Sequence, residues 1–406
     1  MKQIKYLLLY PLIALLPFIA VACSQPGKTV SYKIDKPIIT GADQTNLYVN
    51  YLKGKNVGMV VNQTSIIGKN KTASPDSLLK LGVKIKKIYG PEHGFRGNAS
   101  NGATVGNELD TKTGVPVISL YGSKHYKPTV DELKGIDLMI FDIQDVGTRF
   151  YTYISTLHYV MEACAENNIE LLILDRPNPN GTIIDGPILD SAYKSFVGMH
   201  PIPISHGMTI AEYAQMIDSE GWLKNHVQCK LKIIKLANYT HAATYVLPVS
   251  PSPNLNTNQS ILLYPSTCLF EGTTFSLGRG TMLPFVQVGH PLLKGKYSFS
   301  FTPVSIAGMS EDPPQKNQVC YGIDLKNYNT AALKKSGQIN LSWLIGLYKV
   351  FPDKAHFFNA YFTKLAGTEE LRKQIETGKT EAEIRQSWAS GLSKYKTMRR
   401  KYLLYQ

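Results

Sequence analysis

The sequence lacks most of the short signatures that announce a function. No GxGxxG follows its first strand-like segment and no GxxxxGK[ST] occurs, so neither common phosphate cradle is present. HExxH, HxH and CxxC spacings are absent, as are a GxSxG elbow and an SxxK followed by its companion motifs. Cysteine is scarce. Beyond Cys23 there are only Cys164, Cys229, Cys268 and Cys320, too far apart for a metal knuckle and compatible with either disulfides or isolated buried thiols. Acid is in short supply too, with 30 Asp and Glu against 44 Lys and Arg, a formal charge of +14. That excess favours anionic partners such as a cell wall, lipid headgroups or nucleic acid. There is no internal repeat, and the one long apolar run lies at the N-terminus.

That run is the first thing present. Lys2 and Lys5 precede "YLLLYPLIALLPFIAVA", which is interrupted by Pro11 and Pro17 and ends at "AVAC". It is short for a membrane span and has the three-part layout of a signal peptide. The cysteine after Ala22 makes the end similar to a bacterial lipobox, which implies cleavage after residue 22 and lipidation of Cys23. Ser24 fits outer-membrane sorting where there are two membranes. The expected location is the cell envelope, lipid-anchored, on the periplasmic side of a membrane or on the outer membrane. Export argues against a nucleic-acid partner. Removing 22 of the 406 residues leaves 384, about right for two domains.

Residues 23–40 read as a tether. Then "NVGMVV" (56–61), "VKIKKIY" (83–89), "VPVISLY" (115–121), "IDLMIFDI" (136–143), "IELLILD" (169–175) and "CKLKIIKL" (229–236) read as strands, with helical periodicity at 74–82, 129–135, 152–168 and from Met208. Continuous apolar strands alternating with helices require a parallel sheet covered on both faces. The expected fold is α/β: a Rossmann-like parallel-sheet domain over 41–285 and a smaller α+β domain over 286–406, ending in a basic amphipathic helix whose basic face is read as solvated surface.

Ligands of such sheets bind at the carboxyl ends of the strands. Three charged clusters fall there: "YGPEHGFRG" (89–97), "DIQDVGTRFYTY" (142–153) and "DRPNPNG" (175–181). In the first, Pro91 and the flanking glycines hold Glu92 on a bend, where it serves as a general acid or else pairs with Arg96; His93 could orient it or move a proton itself. In the second, Asp142 and Asp145 are candidate partner carboxylates. Gln144 offers an amide, Arg149 a fork for a substrate carboxylate, and Tyr151 and Tyr153 rings or hydroxyls for a sugar. Asp175, Arg176 and Asn178 end another strand. His206 precedes a helix and could meet an anion with its backbone N–H. Glu271 and Arg279 stand among small residues further on, past a proline-rich loop that contains Asn254. Two-carboxylate glycosidase chemistry would pair Glu92 with Asp142, Asp145, Asp175 or Glu271, and spacing does not choose among them. A metal site built from Glu92, His93, Asp142, Asp175 and His206 is the alternative.

Taken together, "GPEHGFRG", "DIQDVGTRFYTY", "LDRPNPNG", "PIPISHGMT" and "SPSPNLN…YPSTCLFEGTTFSLGRGTMLPF" resemble the bacterial exo-β-N-acetylmuramidases, the NamZ-like family formerly grouped as a domain of unknown function. The resemblance runs from about residue 45 to the C-terminus. It implies a glycoside hydrolase that releases terminal β-linked N-acetylmuramic acid from the non-reducing end of peptidoglycan fragments, without a cofactor. Glu92 is the implied catalytic residue. The family's neighbouring histidine, cleft aspartates and arginine fall on His93, Asp142, Asp145 and Arg149, and its later glutamate and arginine on Glu271 and Arg279. The chain departs from the family at Ser266, where glycine is usual after Tyr-Pro, and at Ala211, where glycine is expected before Glu212. The competing readings are a metal-assisted amidase or esterase acting on cell-wall material, and a non-catalytic glycan-binding lipoprotein of the envelope.

Overall fold

Six of the strands read from the sequence form the parallel part of one sheet. In the computed structural model, which describes residues 1, 36–92, 94–96, 108–122 and 125–405, the strands in chain order are β1 (Asn56–Val61), β2 (Ile66–Ile67), β3 (Thr72–Ala73), β4 (Lys84–Gly90), β5 (Glu108–Leu109), β6 (Pro116–Ser119), β7 (Leu138–Asp142), β8 (Glu170–Leu174), β9 (Leu231–Ile234), β10 (Gln287–His290), β11 (Ser300–Phe301) and β12 (Cys320–Asp324). The large sheet has the order β5-β6-β4-β1-β7-β8-β9, with every pairing parallel except the short edge strand β5. Counting its parallel strands in chain order gives 3-2-1-4-5-6, the order of a Rossmann fold. Every residue of β7 is buried and all but the first of β1, as a sheet covered on both faces demands. Cys23, the signal peptide and most of the tether lie outside the described residues.

The later chain builds a smaller α+β part around the antiparallel sheet β10-β12-β11. One helix there, Asn258–Thr267, was not legible from the sequence because Pro265 argues against a helix. Pro265 sits in its last turn, and a capping box between Thr257 and Ser260 starts it at the other end. The final helix, Glu381–Arg399, buries Ile384, Trp388, Tyr395 and Arg399 along one stripe. It is stitched to the first sheet's loops: the Tyr395 hydroxyl donates to the His206 carbonyl at 2.8 Å, and the Arg385 Nη1 donates to Asp185. Lys394, Lys396 and Arg400 on its other side are exposed. Cys164, Cys229, Cys268 and Cys320 are all buried free thiols.

Candidate active site

Glu92 stands two residues beyond the end of β4. The Gly94 N–H donates to the Pro91 carbonyl at 2.9 Å, and Gly94 has φ +72°, so the chain bends at Glu92 through a conformation that glycine adopts freely. His93 lies outside the described residues. Arg96 turns away from Glu92, with its Nε 2.9 Å from Asp110 and its Nη2 3.2 Å from Asp76. The Glu92–Arg96 pair weighed from the sequence is therefore not formed. Among the described residues Glu92 makes no ion pair. Thr152 Oγ1 donates to its Oε2 at 3.1 Å, and the Tyr121 phenol lines the same cavity, its pKa raised by burial and then by the charge of Glu92. Thr152 is the N-cap of the helix Tyr153–Glu166, yet its side chain makes no capping bond. The hydroxyl is spent on Glu92 instead.

These groups line a cavity of about 340 Å³ at the carboxyl ends of β4, β6 and β7, within the range of small-ligand sites. Tyr121, Phe150, Tyr151, Tyr153 and Phe196 form an aromatic wall, and Glu271, Arg279, Pro314 and Tyr361 come from the later chain. Tyr151 and Tyr153 pack edge to face at 4.8 Å, and both donate to the Pro251 carbonyl, at 2.8 and 3.1 Å. Their rings, not their hydroxyls, are left to face a ligand.

Glu271 lies on the short helical segment Cys268–Gly272, and Arg279 meets it from the following loop. Arg279 Nε and Nη2 both reach Glu271 Oε1, the former at 2.8 Å, and the guanidinium sits 4.9 Å over the Phe285 ring. The other carboxylate oxygen accepts from the Cys268 thiol at 3.5 Å. Burial lowers the Arg279 pKa, but the charge of Glu271 and its hydrogen bonds outweigh that and raise it. The Tyr361 phenol, which lines the same cavity, is pushed up by burial and then by the charges of Glu271, Cys268 and Glu92. The cavity thus holds one carboxyl among neutral hydroxyls and one clamped by a cation.

The other residues singled out from the sequence occupy different places, and among the described ones only Tyr151 and Tyr153 line the cavity. Asp142 and Arg176 form a buried ion pair, Nε to Oδ1 2.7 Å, and the Arg176 Nη2 donates to the Ile66 carbonyl. Arg149 is fully buried and donates to the carbonyls of Pro187, Ile202, Leu365 and Ala366 at 2.7–2.9 Å. Asp145 accepts from the Gly147 N–H at 2.6 Å and faces His206 Nε2 at 3.6 Å, while the His206 N–H is spent on the Gly147 carbonyl. Gln144 donates to the carbonyls of Asp145 and Pro177, Asn178 to that of Met208 and Asn254 to that of Met309. In this arrangement these groups brace loops. Neither Ala211 nor Ser266, the two departures from the family pattern, lines the cavity; the Ser266 hydroxyl accepts the Asn340 N–H at 2.8 Å. Three groups beside Glu92 were missed. Thr152 and Tyr121 sit within motifs already marked, whereas Tyr361 has no local signal at all.

Asp175 is buried completely and accepts from the Tyr405 phenol at 2.6 Å and the Ala211 N–H at 3.1 Å. Burial, opposed by these bonds, raises its pKa from 3.8 to about 6. The unfolded chain loses this proton near 3.8 while the folded one holds it to about 6, so this group's contribution falls as pH rises through that window and is flat above it. Asp175→Asn removes the dependence. Relative to the variant, the wild type should lose on the order of 2–3 kcal/mol between pH 4 and 7.5, read from urea melts at both pH values; a constant difference would contradict it.

A Rossmann-ordered sheet without a phosphate loop, whose strand ends open on an aromatic-walled cavity with two carboxyls, has the makings of a sugar-cleaving hydrolase. Residues 57–259 match the profile of the N-terminal region of exo-β-N-acetylmuramidase NamZ, and residues 262–405 match that of its C-terminal region. A relative from Bacillus subtilis, the peptidoglycan β-N-acetylmuramidase NamZ, is 39% identical over 404 residues, 95% of each chain. Two crystal structures of Bacteroides fragilis proteins from the family formerly called a domain of unknown function (DUF1343) superpose with TM-scores of 0.84 and 0.72. They are 46% and 29% identical, and each alignment covers 91% of this chain and 99% of the other. The chain belongs to the NamZ exo-β-N-acetylmuramidase family.

Proposed function

We propose that this chain is a glycoside hydrolase that releases β-linked N-acetylmuramic acid from the non-reducing ends of peptidoglycan fragments, with Glu92 as its proton donor. Family membership supports the activity and substrate class. The observation that supports the residue assignment is Glu92 held by the Thr152 hydroxyl, in the same cavity as Tyr121 and the cation-clamped Glu271. Among the described residues Glu92 is in no ion pair, which leaves its carboxyl for the acid role.

Glu92 gives its proton to the glycosidic oxygen as the bond from that oxygen to the anomeric carbon breaks, and the leaving sugar departs as an alcohol. Water then supplies a hydroxyl to the anomeric carbon and returns a proton to the protein. Glu271, its geometry fixed by Arg279, is the carboxylate that faces the positive charge developing on the sugar ring. The aromatic wall of Tyr151, Tyr153 and Phe196 excludes water and packs against the ring. No bound cofactor enters the scheme. The lipobox-like "AVAC" supports anchoring through Cys23 at the cell envelope, where this substrate occurs.

The substrate class is tested by incubating the purified mature protein with chromogenic β-N-acetylmuramide and β-N-acetylglucosaminide. Turnover of the muramide at least about tenfold faster is expected, equivalent to roughly 1.4 kcal/mol of selectivity. Preference for the glucosaminide would remove the substrate assignment.

A further inference from the structure

We infer that the aromatic patch of Tyr126, Tyr159 and Phe196 is a platform for the leaving-group sugars of a muramyl oligosaccharide. This rests on the muramidase reading and extends it from the sugar released to the chain left behind. Phe196 lines the cavity, while Tyr126 and Tyr159 continue outward from it and do not. Tyr126 stacks on Phe196 with centroids 4.0 Å apart and planes 19° from parallel. Tyr159 lies 6.1 Å from Tyr126 at 16° and 6.4 Å from Phe196 at 18°. All three are half-buried, leaving ring surface in solvent.

Near-parallel packing is less common in the aromatic core of the smaller part of the protein, where Tyr348 and Phe358 stack at 25° but most pairs are tilted or edge-on. There Phe275 meets Phe357 at 56° and His290 meets Phe351 at 86°. Mixed angles satisfy ring quadrupoles in a core, whereas near-parallel, part-exposed rings present flat faces on which the C–H face of a pyranose can lie.

The patch is also on the correct side of the scissile bond. Tyr121, whose centroid is 6.1 Å from both Tyr126 and Phe196, lines the cavity together with Glu92. The proton donor must touch the glycosidic oxygen, and that oxygen leaves with the second sugar. Rings grouped around the proton donor therefore meet the leaving group.

The test compares steady-state kinetics on three probes: methyl β-N-acetylmuramide, the muramyl-glucosaminyl disaccharide, and the tetrasaccharide made of two such units. Tyr126→Ala and Tyr159→Ala should each raise KM for the tetrasaccharide by roughly 3- to 10-fold, the size of one aromatic contact, while leaving kcat and the methyl muramide kinetics unchanged. Tyr126→Phe and Tyr159→Phe keep the ring and should keep the wild-type KM, which separates stacking from misfolding. Equal losses on all three probes, or no loss on any, would overturn the platform. If the wild type turned over none of the three, the muramidase reading itself would fall, and the platform with it.

Discussion

Glu92→Gln should lower kcat/KM on the muramyl-glucosaminyl disaccharide by about 10²- to 10⁴-fold, the range a positioned general acid contributes. The amide is nearly isosteric, and its oxygen can still accept from Thr152, so KM and melting temperature should barely move. What is lost is the proton. That makes the effect depend on the leaving group. A nitrophenolate departs without protonation, so a nitrophenyl muramide should lose far less in kcat than the disaccharide, whose sugar alcohol needs the proton. Measuring both substrates separates an acid from a residue that only shapes the pocket. Losses of equal size on the two would remove the acid assignment, and an unchanged rate on the disaccharide would remove Glu92 from the reaction.

Much of the large sheet could be read from the chain because its information is local. Each parallel strand is a short apolar run with its own turn signal, and "NVGMVV" became β1 residue for residue. Strand order is not local, and the 3-2-1-4-5-6 arrangement appears only in the folded chain. The same division runs through the site. Glu92 could be picked out because its bend is written in the adjoining proline and glycines. Asp142, Arg149 and Asp175 look equally chemical, since each follows a strand and carries charge. Arg149 and Asp175 are buried by chain that arrives much later, Leu365 and Ala366 covering Arg149 and Tyr405 covering Asp175, while Asp142 is closed off by Arg176. A strand-end charge cannot reveal whether the space before it stays open. Tyr361 is the reverse case, an ordinary residue brought into the cavity that holds both carboxyls by the fold of the smaller part.

Arg149→Met should cost on the order of 3–5 kcal/mol of stability, the scale seen when a buried charged network loses one partner. Among the described residues no carboxylate pairs with the guanidinium. Burial presses its pKa down to about 9, and it is held by four carbonyls, two from the loops at 187 and 202 and two from the end of the helix Phe362–Ala366. It acts as a clasp between the first sheet's loops and the later chain. Methionine fills part of the volume but donates nothing, and each abandoned carbonyl costs about 1–3 kcal/mol before the structure relaxes. Lysine has the charge but not the planar fork, so Arg149→Lys should recover only part of the loss. The backbone beside the clasp is fitted to it: a Cβ on Gly367 would come within 2.6 Å of the Arg149 Nη2. Gly367→Ala should therefore destabilise in the same direction, aided by its φ of +74°. A melting temperature lower by roughly 10 °C for Arg149→Met, about 2–4 °C per kcal/mol for a unit of this size, with KM for the muramide unchanged below the transition, is the expected result. An unchanged melting temperature with a raised KM would instead return Arg149 to the role its sequence suggested, a fork for the substrate's lactyl carboxylate.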